Sequence, residues 1–204
     1  MTLVRRLLLT LAMALPLAGG MVSPSLAMPD DVPPVTARDR VIGRADAPVT
    51  VIEYASFTCP HCAHWFNGVL PVFKARFVDT GRVRLVFRNL PTSPAEVAMT
   101  AAGIARCAPA DRYQAVARSL YEGQAAMLAG GQTWFSDAIA AGGMTGAQIE
   151  TCFADPAVNS GLQAEIRAAQ AAGVQGTPSF FVNGKLQRDG SIEALTAAIE
   201  TATP

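Results

Sequence analysis

The sequence predicts an α/β protein in which a small stranded domain is interrupted by an all-helical insertion. Three observations lead there. Strand-like runs occur only towards the two ends, at VTVIEYA (49–55), RVRLVFR (82–88) and SFFV (179–182). Between residues 94 and 173 apolar residues recur at three- and four-residue steps, with no strand pattern among them. The first strong strand runs straight into FTCPHC (57–62), two cysteines around Pro60 and His61 at what reads as a helix start.

The 204-residue chain opens with Arg5 and Arg6, then an apolar run from Leu7 to Ala18. That run is shorter than the roughly twenty residues a membrane-spanning helix needs. With small residues around Ser25, Leu26 and Ala27 it reads as a secretory signal peptide over 1–27, cleaved after Ala27. Export to the periplasm is the expectation, with no stable membrane insertion after cleavage. Removing 27 of the 204 residues leaves 177, with 14 basic and 16 acidic side chains once Arg5 and Arg6 are gone. That balance carries no electrostatic footprint for nucleic acid. A domain of this length can bury a core without staples.

Residues 28–40, rich in Pro and Asp, read as a loose N-terminal arm. The stranded domain is expected over 41–93 and 174–204, and the insertion over 94–173. VTVIEYA is β-branched and aromatic, as a buried strand should be. A helix follows over 60–79: Pro60 suits a first turn, and Ala63, Phe66, Leu70, Phe73 and Phe77 make one apolar face. Pro71 should kink it. In the insertion, helical faces are marked by Val97, Ala101, Ile104 and Ala105, then by Tyr113, Val116, Ala117, Leu120 and Tyr121. Shorter helices fit 134–140 and 148–153, and a long one carries Val158, Leu162, Ile166 and Ala169 before Gly173. Asn183-Gly184 is a hairpin signal after SFFV, and 191–201 reads as a C-terminal helix.

Four cysteines in an exported chain tend to pair, and spacing alone leaves three pairings open. Cys59 belongs at the tip of the helix begun by Pro60, where free N–H groups and the dipole favour a thiolate. His61 can add a hydrogen bond or a positive charge. A cysteine so placed in a Cys-X-X-Cys pair can fall from about 8.5 to roughly 3.5–7.5. Cys62, one turn further in, should be more buried and less reactive. The competing reading is a metal site built from Cys59, His61, Cys62 and His64, but zinc sites usually draw on two separated pairs and no second pair exists here. His64 otherwise reads as a helix-face residue. No metal is expected.

The strand–CPHC–helix start, the helical insertion and VQGTPSFFVNG near the end together resemble the DsbA-like thiol:disulfide oxidoreductases of the thioredoxin superfamily. The resemblance runs from about Val41 to Ala202. It implies a thioredoxin-like fold with an inserted helical domain. The low end of the cysteine range above is DsbA's own. Cys59 then matches the family's exposed nucleophile, Cys62 its buried partner, and Cys59–Cys62 a redox disulfide. Pro60-His61 matches the dipeptide of oxidising members, and Pro178 the cis-proline beside the active site. Glu53 matches an acidic position near the buried cysteine, with a proton-transfer role. Thr177 departs from the aliphatic residue of the best-known oxidases, and its hydroxyl is expected to contact the catalytic sulfur. Cys107 and Cys152, absent from the simplest members, are expected to form a structural disulfide.

The implied activity is oxidation of newly exported, reduced proteins by a monomer without a cofactor, reoxidised by a quinone-linked membrane oxidase. The alternatives are a disulfide reductase or isomerase, or a periplasmic carrier of copper or zinc.

Overall fold

The structure, a computed structural model, describes residues 32–203. The signal-peptide expectation and the first residues of the arm lie outside them. Five strands form one sheet in the order β1-β3-β2-β4-β5. They are β1 (Arg40–Ile42), β2 (Val49–Ala55), β3 (Val83–Asn89), β4 (Ser179–Val182) and β5 (Lys185–Gln187). β2 and β3 are parallel, with Glu53 opposite Phe87. β4 lies antiparallel on the other side of β2, with Phe180 opposite Glu53. Asn183 and Gly184 both take positive φ, at 46° and 84°. That suits the tight β4–β5 hairpin foreseen from the Asn-Gly pair.

Alternation along β2 sends its residues to two faces. Val49, Val51 and Ala55 enter the main core, whereas Ile52 and Tyr54 enter a second cluster with Val86, Phe181, Ala169 and Ala172. Val32 and Val35 pack on that second cluster. The arm is therefore not loose over its described part. Arg88, buried in β3, donates to the carbonyls of Pro33 and Pro34 at 2.9 and 3.1 Å and to Asp39 at 2.8 and 3.1 Å. The arm continues into β1, a strand that composition did not suggest.

The helix after β2 is α1, a continuous run of four segments: Pro60–His64, Trp65–Val69, Leu70–Phe73 and Lys74–Val78. The second and fourth are π-helical. Pro71 was expected to kink the run, since it lacks an N–H and its ring crowds the carbonyl four residues back. The wide turns before it absorb that conflict: Leu70 N–H bonds the Trp65 carbonyl, five residues back. Trp65, Phe66, Leu70, Phe73 and Phe77 are buried against the sheet. The Trp65 indole donates to the Gly190 carbonyl at 2.9 Å, which ties α1 to the loop before the last helix.

The insertion holds α2 (Ala95–Cys107), α3 (Tyr113–Leu128), α4 (Trp134–Ala141), α5 (Gly146–Ala154) and α6 (Pro156–Ala171), and α7 (Ile192–Ala202) closes the chain. α5 starts earlier than apolar spacing suggested, because Thr145 and Gln148 form a reciprocal capping box. Asp155 and Ser191 cap α6 and α7 by accepting from Ala157 and Ala194 amides. Gly103 in α2 admits Phe153, whose ring a Cβ there would meet at 2.9 Å. Cys107 and Cys152 join α2 to α5 through a disulfide, with an S–S distance of 1.95 Å and a separation of 45 residues. Among the described residues, no helix is long and apolar enough to cross a membrane.

Candidate active site

β2 delivers the chain to Ser56, and the turn Ser56–Cys59 leads into α1. Cys59 N–H bonds the Ser56 carbonyl at 3.1 Å, closing the turn. The hydroxyls of Ser56, Thr58 and Thr92 are linked at 3.0 Å each, and Thr92 N–H donates to Ser56 Oγ at 3.1 Å. Cys59 is the N-cap of α1, in extended conformation, and Pro60 is its first helical residue. This leaves the first amides of the helix without helical acceptors.

Both cysteines are free thiols here. Cys62 is wholly buried and Cys59 is 6 % exposed. The exposed nucleophile implied by the family resemblance is thus covered for the most part. The loop before β4 does the covering: Cys59 Sγ donates to the Thr177 carbonyl at 3.2 Å. The Thr177–Pro178 peptide is cis, as is Ser93–Pro94, which was not foreseen. The hydroxyl of Thr177, expected on the sulfur, has no hydrogen-bond partner and is buried. The thiol's own proton goes to the Thr177 carbonyl, while the Thr177 side chain favours the Cys59 thiolate.

The two sulfurs are electrostatically unlike. Cys59 is lowered to about 5, chiefly by the Cys62 thiol donating to it, with further help from the Thr177 side chain and the Cys62 and His61 amides, against the opposing effect of burial. Cys62 is pushed up by that same bond, by burial and by the charge of Glu53. Glu53 is 1 % exposed, and burial, with a smaller effect from Cys59, raises its carboxyl to about 8. One of its oxygens has no partner. It lies on the α1 side of β2 and is an acid at neutral pH.

His61, Pro60 and His64 are exposed. What the structure assigns to His61 at the sulfur is its backbone amide. Among the described residues, no group of three or more His, Cys, Asp or Glu side chains could hold a metal ion. The grouping of Cys59, His61, Cys62 and His64 as ligands is therefore not assembled.

The sequence reading missed Gln124. Its side chain is 3 % exposed and donates to the carbonyls of Phe57 at 2.7 Å and Cys59 at 3.1 Å. The signal was present, since Gln124 falls four residues after Leu120 on the apolar face of α3, where an amide needs a partner. Tyr121 completes this wall, its ring 4.9 Å from Phe57 and 4.7 Å from Phe66.

Comparison with known proteins agrees with this geometry. A family model described as Thioredoxin matches residues 36–201. A Rickettsia bellii protein, named as a candidate protein-disulfide oxidoreductase, is 28 % identical over 172 residues, covering 82 % of this chain and 66 % of its own. A Rickettsia typhi protein named alike is 28 % identical over 174 residues, covering 80 % and 62 %. The chain thus spans slightly under two thirds of the length of these curated relatives. Among solved structures, oxidised BdbD from Bacillus subtilis superposes with a TM-score of 0.71 at 22 % identity, covering 83 % of this chain and 95 % of its own. Wolbachia pipientis α-DsbA1 gives 0.72 at 22 % identity, covering 83 % and 92 %. With strand, CPHC helix start, cis-proline loop and helical insertion all in place, the chain belongs to the thioredoxin family and has the DsbA-like form of its fold.

Proposed function

We propose that this protein is a periplasmic thiol:disulfide oxidoreductase that passes its Cys59–Cys62 disulfide to exported proteins during oxidative folding. The observation that carries this reading is the asymmetry of the pair. One sulfur stands at the helix tip with its thiolate favoured, and the other is sealed beneath it with its thiol favoured. Stabilising the thiolate of the reduced form makes the disulfide a strong oxidant. The names of the Rickettsia relatives support the same reaction class.

The step balances without a cofactor. A client thiolate attacks Cys59 Sγ, the Cys59–Cys62 bond breaks, and Cys62 leaves with the electron pair. Glu53, protonated at neutral pH, is the acid on hand to give Cys62 its proton. A second client thiolate then attacks the client sulfur of the mixed disulfide and expels Cys59 as its stabilised thiolate. Two electrons have passed from the client dithiol to the pair. A quinone-linked membrane oxidase, taking up those two electrons, would return the pair to the disulfide. Thr177 and Pro178 border Cys59 and are the backbone a client strand would meet.

Mixing the oxidised protein with a reduced, unfolded two-thiol protein tests the reaction. One client disulfide per oxidised pair is expected. Mixed instead with a client that already carries a disulfide, a Cys62→Ser variant should accumulate the mixed disulfide, because Cys59 attacks that bond and expels one client thiolate, and Cys59→Ser should form none. No transfer would contradict the assignment. The redox state of the pair in the cell separates oxidase from reductase or isomerase: an oxidised pair supports the first, a reduced pair the second.

A further inference from the structure

The redox site is not built by the stranded domain alone. Among the buried residues of α3 (Tyr113, Val116, Ala117, Leu120, Tyr121 and Gln124), Gln124 is the only side-chain amide. An amide group has two N–H donors. Both are spent on one turn, at 2.7 Å to the Phe57 carbonyl and 3.1 Å to the Cys59 carbonyl. These two carbonyls bracket Thr58, whose hydroxyl is already held from the other side by Ser56 and Thr92. The Cys59 carbonyl also accepts from Ala63 N–H at 3.1 Å, the first bond of α1. One side chain from the insertion therefore grips both the turn and the opening bond of the helix that carries the redox pair.

We propose that Gln124 is a positioning residue of the redox site, holding the Phe57–Cys59 turn so that the His61 and Cys62 amides face Cys59 Sγ. The inference rests on the function proposed above and assigns part of the site to the insertion. The physical reason is geometric. The direction of Cys59 Cβ–Sγ depends on the orientation of the peptide planes on either side of it. The Cys59 carbonyl belongs to the plane leading into Pro60, and Pro60 has no N–H to anchor that plane. Gln124 adds a second fixed point from outside, beside the Ala63 N–H bond within the helix. Without it the plane is held by the helical bond alone and can tilt, and the thiolate loses alignment with the amides that favour it.

The alternative is that Gln124 only satisfies two buried carbonyls. Loss would then lower stability and leave the sulfur chemistry untouched. Gln124→Met keeps the length and removes the donors. In the purified protein, thiolate absorbance against pH should show Cys59 titrating about one unit higher in the variant, the equivalent of a tenfold loss of thiolate preference. Equilibration with glutathione should favour the variant's disulfide about tenfold more, a potential about 30 mV more negative.

A variant with lowered thermal stability but wild-type titration and glutathione equilibrium would overturn the inference. If Gln124→Met does not fold, the wild type decides. The Gln124 side-chain amide resonances should move between the dithiol and disulfide states, and unmoved resonances would overturn the inference. Exchange by the wild type with no change in the variant defeats only the role of Gln124. Absence of any exchange by the wild type defeats the functional reading beneath it.

Discussion

Cys59 Sγ donates to the carbonyl of Thr177 at 3.2 Å, joining residues 118 positions apart. The bond exists only while Cys59 keeps its proton, because a thiolate has nothing to donate. Ionisation therefore exchanges a carbonyl acceptor in the Thr177 loop for the amide donors of α1. The loop carbonyl is freed at the same moment that the sulfur becomes a nucleophile or leaving group.

The first prediction concerns the acidity of Cys59. In the reduced protein its alkylation rate should rise with pH through a midpoint near 5 and be flat at neutrality, while Cys62 stays unmodified. Because the folded value lies below the ordinary thiol value of about 8.5, the thiolate stabilises the reduced fold fully above that ordinary value. This stabilisation is lost as pH falls through the folded value. Reduced protein should be more stable than oxidised protein at neutral pH, and the gap should close towards pH 5. Alkylation followed by mass spectrometry, with urea unfolding of both forms across pH, checks both parts.

Glu53 gives the opposite sign. Its carboxyl is raised from 4.5 to about 8 by burial and by Cys59. Its folded state is unpenalised below the unfolded value and loses stability as pH rises through the folded one. Glu53→Gln should gain stability relative to wild type as pH rises from 4.5 through about 8, while formation of the mixed disulfide becomes slower for want of a proton donor to Cys62. Unfolding curves at several pH values and single-turnover transfer to a dithiol client measure the two effects.

Arg88→Leu should destabilise the fold strongly. Arg88 and Asp39 are paired at 2.8 Å with both side chains 5 % exposed, and Arg88 also holds the Pro33 and Pro34 carbonyls. Removing one partner of a buried pair costs about 3–5 kcal/mol. Denaturant unfolding should find that loss, and early proteolysis should fall in residues 32–39. A variant of wild-type stability would show that the arm is not held by this pair.

The Cys107–Cys152 bridge closes 45 positions of chain. Loop-closure entropy for that length is about 4 kcal/mol at most. Cys107→Ala with Cys152→Ala should lower unfolding stability by up to that amount. Cys59 alkylation at neutral pH should persist, because the bridge joins α2 to α5 and touches none of the groups around the sulfur. Chemical denaturation and alkylation of the double variant check both statements.

The placing of the two cysteines at a helix start was legible because strand, motif and helix are continuous in the chain around them, whereas Glu53 and Pro178 entered only through the family resemblance. The hairpin was legible in Asn183-Gly184. Local pattern could not show that Val32 and Val35 cover the second face of the sheet, since their partners Ile52, Val86 and Phe181 lie far along the chain. Thr177 was recognised, but which of its oxygens meets the sulfur depends on how the chain enters β4. Gln124 was visible as a polar residue on an apolar face, yet its partners are backbone carbonyls more than sixty positions away, which no side-chain pattern records. The earlier start of α5 could have been read from Thr145 and Gln148, where apolar spacing alone is silent.

The most direct test of the central claim is the equilibrium of the purified protein with glutathione buffers, with Cys59–Cys62 followed separately from Cys107–Cys152. A stabilised Cys59 thiolate over a sealed Cys62 predicts a potential well above the roughly −270 mV of thioredoxin. A potential at or below that value would contradict an oxidase and would place the chain among the reductases or isomerases.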